Sequence, residues 1–289
     1  MSAPRLIAGL AEVASAYDAV LCDVWGVIHN GRESFPEACE ALVRFNREHG
    51  PVVLLSNAPR PAHAVKAQLR GVGVPDAAWA DFVTSGDATR VELAARAPGP
   101  VWAVGPARDA PLYEGVGVEF TETPEAAAFV ACTGPFDDEK DEPEDYRDRF
   151  EVCVGRGLTM ICANPDLLVR RGDKMIYCGG ALAQLYATMG GAVVMAGKPH
   201  AAVYRCALEA VDRAAGRAID PARVLAIGDG LATDVKGANA QGLDCLFVGA
   251  GIDAAETLGR DGLIDPVRLE ALLIREGATA KYAMADLRW

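Results

Sequence analysis

No run of about 18 apolar residues occurs anywhere in the chain, which removes a helical membrane span from the reading. A basic stripe is equally missing. The formal net charge is -12, so a nucleic-acid backbone, which needs clustered Lys and Arg, is not the expected partner. Metal-like cysteine spacing is absent too. Eight cysteines (Cys22, Cys39, Cys132, Cys153, Cys162, Cys178, Cys206 and Cys245) are scattered, none forms a CxxC pair, and several lie inside apolar runs. They read as reduced core residues rather than a zinc site. The opening MSAPRLIAGLAEVASAYD has neither the basic start nor the compact apolar core of a secretory signal, so a cytoplasmic protein is expected. Internal repeats and low-complexity segments are lacking as well.

What is present is a large apolar fraction, 51% of 289 residues, enough for two α/β domains. Residues 3–17 read as an amphipathic entry helix. The stretch AVLCDVWGVIHNG (19–31) then runs apolar up to Asp23 and breaks into a glycine-containing turn. A continuous apolar run reads as a strand buried on both faces, which carries Asp23 to the carboxyl edge of a parallel sheet. Pro36 opens a helix with Ala38, Ala41, Leu42 and Phe45 at helical spacing, and Gly50 stops it. PVVLLSN ends a second strand at Ser56 and Asn57, a helix follows from Pro59 and Pro61 to about Arg70, and DFVTSG (81–86) reads as a third strand.

Between 87 and 189 a second strand series appears: VWAVG (101–105), AAAFVACTG (126–134) and LTMICAN (158–164). The acidic PFDDEKDEPEDYRDRF between the last two reads as a solvated loop leading into a helix. From Gly190 the first pattern resumes with AVVMAGKPH, a helix from 199 to about 214, RVLAIGDGLATDVKGA and LDCLFVG. The expected architecture is therefore a Rossmann-like parallel-sheet core, 1–86 and 190–289, with an inserted α/β cap over 87–189. The tail from Ile252 carries no legible chemistry.

Four strand ends then offer polar groups: Asp23; Ser56 with Asn57; Lys198; and Asp229 with Asp234. Each alone could be a cap, a turn former or a surface residue. Together they supply a nucleophile, phosphoryl-oxygen partners and a hard-cation ligand. A phosphomonoester repels nucleophiles, so its site needs cationic and N–H groups on the oxygens, a cation and an in-line attacker. Lys198 and the Ser56 hydroxyl suit the oxygens, Asp23 the attack and Asp229 a Mg²⁺ ion.

In order, DVWGV, LLSN, AGKP and GDGLATD resemble the four motifs of the haloacid dehalogenase-like hydrolases. NPDLLV and GGALAQLYATMGG before AGKP resemble the end of the C2-type α/β cap of subclass IIA. The resemblance implies that Asp23 attacks phosphorus to give an aspartyl-phosphate that water hydrolyses. It implies a Mg²⁺ held by the Asp23 carboxylate, the Trp25 carbonyl and Asp229, with Asp234 directing metal waters or Lys198. Main-chain N–H groups near Trp25 and Gly26 would complete the phosphate cradle with Ser56 and its neighbour Asn57. Family phosphatases usually carry a second aspartate where this chain has Trp25. An indole cannot exchange a proton at neutral pH, so an acid–base factor of roughly 10²–10⁴ must be lost or come from elsewhere. His29 is the candidate substitute on its titration range, against a surface or structural role, and Trp25 itself reads as a pocket wall or a core residue. Asn164, Pro165 and Asp166 end a cap strand and either face the site or form a turn.

The implied activity is Mg²⁺-dependent hydrolysis of a small phosphate ester such as a sugar phosphate or nucleotide, with no nucleic-acid or membrane partner and room for a homo-oligomer. Carbon–halogen or carbon–phosphorus cleavage fits less well, because the halide-cleaving members do not need the Mg²⁺ set. A weakened phosphate- and metal-binding regulatory protein is the rival of another class, and Trp25 is its support.

Overall fold

The computed structural model of the chain describes residues 3–171 and 174–289. Its strands, in chain order, are β1 (Arg5–Leu6), β2 (Ala19–Cys22), β3 (Val52–Ser56), β4 (Asp81–Thr84), β5 (Val101–Val104), β6 (Phe120–Thr121) and β7 (Phe129–Cys132). They continue with β8 (Thr159–Cys162), β9 (Leu168–Arg171), β10 (Lys174–Tyr177), β11 (Ala192–Met195), β12 (Val224–Gly228), β13 (Asp244–Val248) and β14 (Tyr282–Met284). The chain divides into two compact units, Met1–Ser56 with Lys66–Val83 and Tyr204–Trp289, and Asn57–Val65 with Thr84–Val203.

The first unit is built on a seven-stranded sheet of order β1-β14-β13-β12-β2-β3-β4. Every pair from β1 to β3 in that order is parallel. All residues of β2, β3 and β12 are buried, which is why these strands read as unbroken apolar runs rather than alternating ones. The helix Pro36–Glu48 starts on Pro36 and buries Ala38, Cys39, Ala41, Leu42 and Phe45, the face given by its spacing. From β2 the chain winds outward through β3 to β4, then returns to β12 on the other side of β2 and winds outward again. The switch point therefore lies between β2 and β12, the place where open α/β sheets form a crevice at the carboxyl ends of their strands.

The second unit has a five-stranded parallel sheet of order β11-β8-β7-β5-β6, with a two-stranded antiparallel pair β10-β9. Alternate residues go to opposite faces: Trp102, Val130, Cys132 and Met160 join one apolar cluster, while Val101, Phe129, Ala131 and Ile161 join another. The acidic stretch leads through Pro143–Tyr146 into the helix Arg147–Gly155, whose Phe150 is fully buried.

Three expectations change. The run 192–195 pairs with β8 at the edge of the smaller sheet instead of resuming the larger one. It follows β8 and the helix Gly179–Thr188, so β8-helix-β11 is one more crossover unit, and its half-exposed residues mark an edge strand. Residues 3–17 form no α-helix. Arg5–Leu6 pairs with Tyr282–Ala283 of β14 and two short 3₁₀ turns follow, because the Arg5 and Ile7 N–H groups donate to the Lys281 and Ala283 carbonyls. Strand β4 stops at Thr84 rather than Gly86, since Thr84 and Asp87 form a reciprocal capping box that starts the helix Ser85–Ala94.

Candidate active site

Strand β2 delivers Asp23, β3 ends on Ser56, and β12 delivers Asp229, so three adjacent strands end in polar side chains. The Asp23 N–H donates to the Ile227 carbonyl at 2.8 Å, extending the ladder by one residue and fixing its backbone against β12. Asp23, Ser56, Asp229 and Asp234 are all buried. Carboxylate oxygens of Asp23, Asp229 and Asp234 lie within 4.8 Å of one another. Three carboxylates converging on one point offer an all-oxygen donor set of the kind that suits a hard cation.

The chain around the cluster is shaped to make room. After Gly228 a tight turn runs into Leu231–Val235, where Asp234 Oδ2 accepts from the Gly230 N–H at 3.1 Å and the Asp234 N–H donates to the Gly230 carbonyl at 2.8 Å. Asp234 thereby builds the turn that carries Asp229. Asp229 Oδ2 accepts from the Ile252 N–H at 2.7 Å. Gly26 has φ +88°, and a Cβ there would lie 2.2 Å from Asp229 Oδ2; a Cβ on Gly251 would lie 1.9 Å from the same atom. Glycine is required at both positions for the backbone to close on that carboxylate.

The loop after Asp23 folds on itself. The Gly26 N–H donates to the His29 carbonyl at 2.9 Å, and the half-buried Trp25 ring meets the His29 ring edge-on at 5.1 Å. His29 is buried and its Nδ1 accepts from the Gly31 N–H at 2.9 Å. Burial pushes its pKa down to about 4. The imidazole is therefore neutral at pH 7 with its proton on Nε2, which corrects the expectation that it titrates where an acid–base group must. Trp25 packs on its own loop, against His29 and Gly31, with part of the indole exposed.

A buried neutral histidine has a consequence for stability. Its folded pKa lies below the unfolded value, so the contribution is complete above pH 6.5 and is lost as pH falls towards about 4. The full loss amounts to roughly 3 kcal/mol. Chemical denaturation from pH 7 to 4 should show the His29→Gln variant losing less stability than the parent; parallel curves would contradict the burial argument.

Two sequence-predicted residues, Asn57 and Lys198, belong to the second unit, and both are buried. Asn57 Oδ1 accepts from the Lys198 N–H at 2.7 Å, while Asn57 Nδ2 donates to Asp166 Oδ1 at 2.7 Å and to the Lys198 carbonyl at 3.3 Å. Its side-chain amide thus grips the Lys198 peptide, which leaves only its main chain for the phosphate-binding role expected from the sequence. Asp166 does more than make a turn, although its N–H does donate to Asn164 Oδ1 at 3.1 Å in one.

Sequence reasoning missed Gly251, Ile252 and Asp253. The first two close on Asp229, and Asp253 Oδ2 accepts from the Leu231 N–H at 3.2 Å. They follow the β13 strand end, and that position, shared with Asp23 and Asp229, was the available signal. All eight cysteines are free thiols. Among the described residues no helix is long and apolar enough to cross a membrane.

A parallel α/β unit with a buried carboxylate cluster at its switch point, accompanied by a second α/β unit, defines a two-part protein with a polar site at the carboxyl edge. The sequence matches a haloacid dehalogenase-like hydrolase family over residues 20–119 and a HAD-hydrolase-like family over residues 195–280. A solved haloacid dehalogenase-like hydrolase from Brucella suis is 41% identical, with 98% of this chain and 100% of that one covered and a TM-score of 0.87. The chain belongs to the haloacid dehalogenase-like hydrolase family, in subclass IIA. The D-glycerol 3-phosphate phosphatase of Mycobacterium tuberculosis is 30% identical over 84% of this chain, which spans 66% of that relative's length. A crystal structure of glycerol phosphate phosphatase from the same organism, in complex with magnesium, is 26% identical, covers 95% of this chain and 77% of its own, and has a TM-score of 0.66.

Proposed function

We propose that this hydrolase cleaves a small phosphate monoester, the phosphoryl group passing first to Asp23 and then to water. The observation that carries the reading is the buried Asp23, Asp229 and Asp234 cluster at the switch point. The phosphatase relative and the magnesium-bound phosphatase structure add support.

The cluster fits a hard divalent cation such as Mg²⁺, being all carboxylate oxygen, buried and bordered by Gly26 and Gly251 that leave Asp229 room. Asp23, the Trp25 carbonyl and Asp229 would hold it, with Asp234 shaping the turn behind. A cation there shields the phosphoryl oxygens so that an anionic nucleophile can approach. An Asp23 carboxylate oxygen forms the new bond to phosphorus as the ester oxygen leaves with its electron pair. Ser56 Oγ and the main-chain N–H groups of Trp25 and Asn57 donate to the phosphoryl oxygens, whereas the Gly26 N–H, expected there from the sequence, is held by the His29 carbonyl at 2.9 Å, and Lys198 contributes the positive charge. Water then attacks the aspartyl-phosphate phosphorus, releasing phosphate and restoring Asp23.

Trp25 and the neutral His29 leave the loop without a group that gives or takes a proton near pH 7. Turnover should accordingly be slow on alkyl phosphates, whose alkoxide needs a proton. The same feature favours the second reading, a phosphate-holding protein with residual turnover.

The discriminating experiment is a panel of phosphorylated metabolites assayed with Mg²⁺, with Asp23→Asn as the blank. Release of phosphate above the blank supports the enzyme; none on any ester favours the binding protein. Asp229→Asn should raise the Mg²⁺ concentration needed for half-maximal activity by about tenfold or more, with partial recovery at excess metal. An unchanged Mg²⁺ dependence would remove Asp229 from the site.

A further inference from the structure

We infer that Asp166 is a positioning residue, which holds the Asn57 amide in the one orientation that clamps the peptide of Lys198. The inference rests on the proposed role of Lys198 and goes beyond it. An amide can present its oxygen or its nitrogen to a partner, and the partners decide which. Here the Lys198 N–H requires the oxygen, and the Asp166 carboxylate at 2.7 Å requires the nitrogen. A flipped amide would set oxygen against carboxylate and N–H against N–H. The Asp166 charge therefore selects the gripping orientation, with the strength of a charge-assisted bond.

The clamp is packed from several sides. A Cβ on Gly197 would lie 2.5 Å from Asn57 Oδ1 and 2.6 Å from Ser85 Oγ, so only glycine before Lys198 lets the amide reach its peptide. Asp166 is itself held: its N–H donates to Asn164 Oδ1, and its carbonyl accepts from the Gly180 N–H at 3.1 Å. Gly180 sits so close that a Cβ there would lie 2.1 Å from the Pro165 carbonyl oxygen. The NPD turn and the GG start of the helix Gly179–Thr188 thus have a joint role, which is to aim the Asp166 carboxylate at Asn57.

The test is a set of variants of the full chain assayed on one phosphate ester. Asp166→Ala should lower kcat by about ten- to hundredfold with KM little changed, because a hydrogen bond to a charged group is lost. In a Lys198→Ala background the same change should cost less than about twofold, since a residue that acts through another has nothing left to act on. Asn57→Asp places two carboxylates at the 2.7 Å contact and should be more damaging than Asp166→Ala. Asn57→Asp combined with Asp166→Asn exchanges donor and acceptor across the 2.7 Å contact and keeps the acceptor for the Lys198 N–H, though not the donor to the Lys198 carbonyl, and should recover part of the kcat lost in Asn57→Asp. This rescue guards against a simple folding defect, which the exchange would not repair. If Lys198→Ala alone leaves kcat/KM unchanged, the role of Lys198 fails. If Lys198→Ala is damaging but Asp166→Ala adds its full factor on top, or raises KM alone, or the exchange gives no rescue, the positioning role of Asp166 is overturned.

Discussion

Asp23→Asn should abolish turnover, by more than about a thousandfold, while leaving the chain folded. An amide has nearly the shape of the carboxylate but not its nucleophilicity, so no acyl-phosphate can form. The backbone bond from Asp23 to the Ile227 carbonyl does not involve the side chain and should survive. The same change removes one of three buried carboxylates whose oxygens lie within 4.8 Å. In metal-free buffer the variant should therefore melt above the parent, as active-site residues often cost stability, and added Mg²⁺ should stabilise the parent more. Thermal melts with and without Mg²⁺ read this directly. Retained activity, or an identical response to the cation, would displace Asp23 from the centre of the site.

Lys198→Ala ranks next, with an expected fall of at least about a hundredfold in kcat/KM. The residue is buried, and its peptide is held on both sides by the Asn57 amide, so its chain starts from a fixed point. A buried lysine in a fixed place is costly unless its charge is used. Lys198→Arg should recover little, because the longer planar guanidinium does not replace a compact ammonium. Steady-state kinetics with the same ester for all three proteins is the check; near-normal rates in Lys198→Ala would return it to a structural role.

The strands that carry the site were legible because each is a short, fully buried apolar run: Ala19–Cys22, Val52–Ser56 and Val224–Gly228 announce both themselves and the polar residue at their end. Asp23, Ser56 and Asp229 follow from that pattern alone. Strand β14 was not legible, since three residues, Tyr282–Met284, carry no periodicity and acquire their role only by pairing with β13 and β1. The entry segment likewise takes its conformation from a distant partner. Its apolar residues fit a helical spacing, but the carbonyls of the distant β14 strand claim its N–H groups. The helix Pro266–Glu276, by contrast, carries its bounds in the sequence, in Asp265, Pro266 and Gly277. Strand β11 could extend either sheet by its composition, and only its half-exposed register beside β8 decides. Around the site, the burial of His29 and the grip of Asn57 on Lys198 depend on contacts no spacing encodes.

The most direct measurement is a rapid-quench time course with an aryl phosphate, in the presence of Mg²⁺, following phenolate release in the first turnover. A stable phenolate needs no proton, so attack by Asp23 should be fast. Hydrolysis of the aspartyl-phosphate then meets a loop where Trp25 stands and His29 is neutral, so it should be slow. The account predicts a burst near one equivalent of phenolate per site, absent in Asp23→Asn and reduced in Trp25→Asp as the steady state speeds up. Equal rates on alkyl and aryl phosphates with no burst in the parent protein would contradict it.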